Sequence, residues 1–181
     1  NSTDLDQQSI TALALAGGTI KDTATGLLDA ALLLACPGTA NSLAANKALV
    51  VDSTAPTVST GGATTADGSY KAGATITVTL QFSEVVYVTG TPQLTLETGA
   101  SDAVASYSGG SGTNTLSFDS VSYTHLRAQD LDYQSTSALA LNGGTIKDLA
   151  GNNATLTLPT VGGPSSIAGT RAIVIDTGSS T

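Results

Sequence analysis

Residues 3–22 read TDLDQQSITALALAGGTIKD and residues 129–148 read QDLDYQSTSALALNGGTIKD, with 15 of the 20 positions identical. A second match follows, ANKALVVD over 45–52 against GTRAIVID over 169–176. The chain is a tandem repeat caught out of frame. Gly143 follows Gly17 by 126 positions and Asp176 follows Asp52 by 124, so the first copy carries two extra residues between those landmarks. A full unit runs from about Thr57 to Asp176, and residues 1–52 match only its second half. The expected division is therefore 1–54, the C-terminal half of one repeat, and 55–181, a complete one. Repetition on this scale serves length, stiffness and avidity, because chemistry rarely needs duplicates in line. A half-sandwich would bare its inner face and two edges. Either the parent chain is longer than this sequence, which is the favoured expectation, or a neighbouring molecule supplies the missing strands.

The local pattern is β almost throughout. From Thr75 to Phe82, polar and apolar residues alternate without a break. A period of two gives one wet and one dry face. Similar short runs cover Val85–Val88, Gln93–Glu97, Ala103–Tyr107, Thr115–Phe118, Ala138–Leu141, Thr145–Lys147, Ala154–Leu158 and Ala172–Ile175. Between them stand turn-forming clusters such as Asp67-Gly68, Gly90-Thr91-Pro92 and Asn142-Gly143-Gly144. Many short strands at this spacing predict an all-β fold of immunoglobulin-like β-sandwich tandem repeats. The outward threonines Thr75, Thr77 and Thr79 read as β-branched residues on a solvated face, since one short ladder is too little for an ice-binding plane.

Composition narrows the function. The net charge is −8 with only 11% charged residues, so nucleic acid is excluded as a partner for want of a basic surface. No run of 18 apolar residues offers a spanning helix. The single cysteine, Cys36, rules out a disulfide framework within the chain. Set opposite Leu158 of the second copy, it is expected to be a small buried apolar residue.

Several strings then resemble a family. Asp67-Gly68-Ser69-Tyr70-Lys71-Ala72-Gly73, Phe82-Ser83-Glu84, Gly90-Thr91-Pro92-Gln93-Leu94-Thr95-Leu96, Asp130-Leu131-Asp132-Tyr133, the run Gly143–Asn153 and the linker Val51-Asp52-Ser53-Thr54-Ala55-Pro56 are similar to the bacterial Ig-like tandem repeats of giant surface adhesins and extracellular fibre proteins. The resemblance spans nearly the whole chain. It implies a secreted or bacterial cell-surface location, many such domains in a row, roles in adhesion, biofilm formation and fibrous appendages, and calcium at domain junctions. Two departures stand out. Ala74 replaces the acid expected after Lys71-Ala72-Gly73, and Val121–Ala128 breaks the pattern with a string similar to a translated sequencing-adapter artefact. No function is drawn from its His125.

Calcium takes six to eight hard oxygen ligands. If Ala154–Leu158 pairs antiparallel with the last strand and with Thr145–Lys147, then Asp148, Asn152 and Asp176 share the C-terminal end of their domain. By repetition Asp22 and Asp52 share the same end of the preceding unit, where Glu84 of the following domain would meet them. A cation there would remove the repulsion between the acids and pin the hinge. The alternative reading is that these acids cap turns.

The pairs Asp4/Asp6 and Asp130/Asp132 invite an enzymatic reading as paired carboxylates, yet sugar-stacking aromatics are sparse and no nucleophile triad, phosphate loop or cysteine cluster accompanies them. Each Asp-Leu-Asp is expected to turn its leucine inward and both acids to solvent, and no enzyme activity is expected. The expected function is a structural repeat whose partners are neighbouring copies, in the same chain or by strand complementation between protomers. A glycan- or receptor-binding module and a spacer domain of a secreted enzyme are the alternatives.

Overall fold

The computed structural model describes residues 4–23, 28–71, 73–99, 101–121, 127–128 and 130–176. The string 122–126, with His125, lies outside the described residues. The chain divides into two units, Asn1–Ser53 and Thr54–Thr181.

Among the described residues the second unit is all-β apart from one helical turn. Its strands are β1 (Val58–Ala63), β2 (Gly68–Tyr70), β3 (Thr75–Thr89), β4 (Gln93–Glu97), β5 (Ala103–Gly109), β6 (Thr113–Val121), β7 (Arg127–Ala128), β8 (Asp132–Tyr133), β9 (Leu139–Ala140), β10 (Thr145–Lys147) and β11 (Ile173–Asp176). One sheet runs β1-β3-β6-β5-β4-β8, with β9 also on β4 and β10 on the far half of β3. A smaller sheet runs β2-β11-β7. The ladders are antiparallel except β2 with β11.

Alternation builds the core as the sequence predicts. Ile76, Val78, Leu80 and Phe82 of β3 point inward and are almost fully buried, against Leu116 and Phe118 of β6 and Leu94 and Leu96 of β4. Thr75, Thr77 and Thr79 take the other face, where Thr77 Oγ1 donates to Asp119 Oδ1 at 2.6 Å. The two runs expected at 75–82 and 85–88 are one strand. Between Gln81 and Val86 the pairing shifts: β3 advances five residues while β6 advances two, from Thr115 to Thr113. Such a bulge bends a strand and re-aims its side chains. Glu84 sits in it.

One expected pairing does not form. Residues 154–158 make no strand against β11, which lies instead between β2 and β7. Thr155 bridges Thr57 in parallel, and its amide donates to the Pro56 carbonyl at 2.8 Å. The Asp148–Asn153 loop therefore lies beside residues 54–57, at the start of this unit, rather than at its C-terminal end.

The first unit reproduces the second half of the other. Helix α1 (Leu43–Asn46) matches α2 (Ile167–Thr170); Ser42 and Ser166 cap them, each Oγ accepting an amide at 3.2 Å. Short N-capped turns of this kind carry no long apolar period, and the sequence reading missed both. The bridge Lys21↔Asp29 matches Lys147↔Asn153, so the two extra residues sit in the loop after Asp22. Beyond that loop the offset is 124, which sets Cys36 opposite Thr160 rather than Leu158. Cys36 is exposed, not buried, as is Thr160.

Candidate functional site

Two arrangements of carboxylates matter. The first is the Asp148 loop. Asp148 follows β10, is 5% exposed, and folds its side chain back over its own turn. Oδ1 accepts the amides of Gly151 at 2.7 Å and Asn152 at 2.8 Å, and Oδ2 accepts Asn152 Nδ2 at 2.7 Å. Burial pulls this carboxyl's pKa up, but the donors from Asn152, Gly151 and Ala150 outweigh it and hold it below the usual carboxylate value. Asn152 Nδ2 also reaches the Thr54 carbonyl at 3.3 Å. Ser83 clamps Thr57 in turn: its amide donates to the Thr57 carbonyl at 2.8 Å and its hydroxyl accepts the Thr57 amide at 3.1 Å. Glu84, next in sequence and half-buried, presents a carboxylate oxygen within 4.8 Å of one on Asp148. Two acids that close share a cation readily and repel each other without one.

Asp176 is exposed at the end of β11, opposite Arg127. Asp22 is exposed in the first unit, with Oδ1 accepting the Leu28 amide at 3.1 Å. Leu28 stands where the second copy has Asn152, so the first-copy loop offers no amide side chain there. A Lys21–Asp29 ion pair at 2.5 Å holds that loop instead. Asp52, half-buried, lies two positions before Thr54 in the chain.

The second arrangement was misread in sequence. Leu131 does turn inward, at 1% exposed, and Asp130 faces solvent, but Asp132 is 5% exposed. It is a clamp. Oδ2 accepts the Gly162 amide at 2.8 Å; Oδ1 accepts those of Tyr133 at 2.9 Å and Ile167 at 3.2 Å. Asp6 does the same in the first unit, accepting the amides of Gly38 at 2.7 Å, Gln7 at 2.9 Å and Leu43 at 3.1 Å. Burial works against ionised Asp6, yet bonds from Gly38, Gln7, Ala44 and Ser42 prevail and lower its pKa. The neighbours are paired too. Tyr133 Oη donates to the Pro159 carbonyl at 2.6 Å, and Gln7 Nε2 donates to its counterpart, the Ala35 carbonyl, at 2.8 Å. The signal available in sequence was an Asp in both copies, each with a downstream glycine (Gly38, Gly162) that adopts positive φ.

No family model, curated protein or solved structure matches this chain.

Proposed function

We propose that the chain is a structural repeat of a long secreted or cell-surface adhesin or extracellular filament. It consists of immunoglobulin-like β-sandwich units and provides rigid reach for adhesion or biofilm formation. The observation that carries this reading is the bond-for-bond duplication of the Asp6 and Asp132 clamps. Their donors and acceptors recur although the residues beside them, Gln7 and Tyr133, differ. A fold that duplicates its supports while varying the side chains around them is under pressure to repeat a shape. The partners are neighbouring copies of the unit, and the location is extracellular, on a bacterial surface.

Calcium is the ion this reading assigns to the Glu84–Asp148 pair. Glu84 and Asp148 supply two carboxylates within 4.8 Å, of the hard-oxygen type calcium prefers. Asp148 has already accepted three N–H bonds, so only part of its oxygen capacity serves a cation. The Asn152 side-chain carbonyl, backbone oxygens and water would complete the shell. Asp22 and Asp176 take the corresponding positions for adjoining repeats. A cation held there would neutralise the acids and stiffen the repeat.

Imaging tests the reading. Antibody raised against this chain should decorate thin extracellular threads at regular intervals. Labelling confined to discrete globules, or to the cell interior, would overturn it.

A further inference from the structure

Equivalent residues of the two units have opposite exposures. In the second unit Leu131, Leu139, Ile146 and Ile173 are 1%, 3%, 2% and 0% exposed. Their first-unit counterparts Leu5, Leu13, Ile20 and Leu49 are 43%, 41%, 47% and 43% exposed. The backbone between them is held alike. Leu5 N donates to the Leu49 carbonyl at 2.7 Å, as Leu131 N does to Ile173 at 2.9 Å. The first unit thus presents a formed apolar face, and contiguous patches of this kind mark interaction sites.

The second unit shows what covers such a face. Leu139 is paired with Leu94 of β4, Ile146 with Val88 of β3, and Ile173 with Gly68 of β2. A glycine carries the same message. A Cβ on Gly144 would stand 2.1 Å from the Thr89 carbonyl oxygen of β3, so only glycine fits. Its counterpart Gly18 would meet nothing closer than the Leu15 carbonyl of its own turn, at 3.2 Å. Gly18 is shaped for a strand edge that the described residues of the first unit do not supply.

We infer that the Leu5–Ile20–Leu49 face is a docking site for one occupant: a further polypeptide segment with the strand pattern of residues 57–121, the β1–β6 set. The inference rests on the repeat reading above and names the partner of its first unit. A second copy of this chain does not serve. Its β1–β6 set already covers Leu131, Ile146 and Ile173 of its own second unit, and lending that set would bare them.

The test adds the occupant. Residues 54–126 are fused ahead of Asn1 of the full chain, which restores the spacing found before Arg127. The fused chain should bind an apolar fluorescent dye several-fold less than the original. Amides of Leu5, Ile20 and Leu49 should exchange with solvent at least about tenfold more slowly, as expected for residues moved from an open face into a core. Gly18→Ala should erase that protection in the fused chain and leave the original chain unchanged. Unchanged dye binding and exchange after fusion would overturn the inference. So would protection of the same amides by concentration-dependent dimerisation of the original chain, which would make a second copy the occupant. Either result leaves the thread-labelling test untouched, so failure of this inference is distinguishable from failure of the fibre reading.

Discussion

Asp132 Oδ2 accepts the Gly162 amide at 2.8 Å across 30 residues of chain, and Oδ1 of the same carboxylate accepts the amide that opens α2. One buried acid thereby ties β8 to the 160s loop and to the helical turn that covers β1. Asp132→Ala removes the acceptor for three amides and leaves those in the interior unpaired. The second unit should lose about 2–3 kcal/mol, read from its urea transition. Asp130→Ala, one turn of the alternation away and exposed, should cost less than about 0.5 kcal/mol.

Glycines at matched positions should respond differently. Gly144→Ala drives a methyl into the Thr89 carbonyl of β3, a backbone atom that cannot swing aside. We expect a loss of about 3 kcal/mol in the second unit. Gly18→Ala in the original chain should cost less than about 1 kcal/mol, since only the Leu15 carbonyl lies nearby, at 3.2 Å. Paired denaturation curves decide between them.

The order of these effects bears on what could be read from the sequence. The repeat, the dry face of Thr75–Phe82 and the strands Gln93–Glu97 and Thr145–Lys147 were all legible, because alternation and internal identity are local signals. The β character of the fold follows from them. The path of the last strand was not legible. Residues 154–158 alternate as a strand would, but Thr155 is taken by Thr57, and β11 is claimed by β2, whose Gly68 read only as a turn. Asp132 was misread for a related reason. Alternation assigns faces, and it cannot show that amides 30 and 35 residues away converge on a carboxylate. At the Asp148 loop, the proximity of Glu84 depends on a bulge that residue type does not announce.

The pH profile should show two limits. Burial raises the Tyr133 hydroxyl to about 12, with the Asp132 charge adding to it. The neutral phenol is favoured in the fold, so its contribution is complete below the unfolded value near 10 and is lost as pH rises from there through about 12. Tyr133→Phe should remove that alkaline step. Asp148 has the opposite sign. Its pKa is lowered on folding, so its contribution is present above the ordinary value of 3.8 and is lost as pH falls through the folded one. Melting temperatures across the acid range should fall less steeply in Asp148→Asn.

Calcium should stabilise the second unit. At 10 mM, with an affinity typical of extracellular sites, the melting temperature should rise by about 5 °C. Chelator should reverse the rise, and Glu84→Gln should abolish it. A chain indifferent to both calcium and chelator would remove the ion from the account and leave the repeat in place.

The claim on which the rest depends is that one shape recurs along a load-carrying thread. Stretching single native molecules that contain this chain measures it directly. A repeat running from Thr57 to Asp176 releases roughly 400 Å of contour when it unfolds, at about 3.5 Å per residue. The account predicts a sawtooth of equal steps near that length, less the folded span of one unit. A single unfolding event, or steps of unrelated lengths, would contradict it.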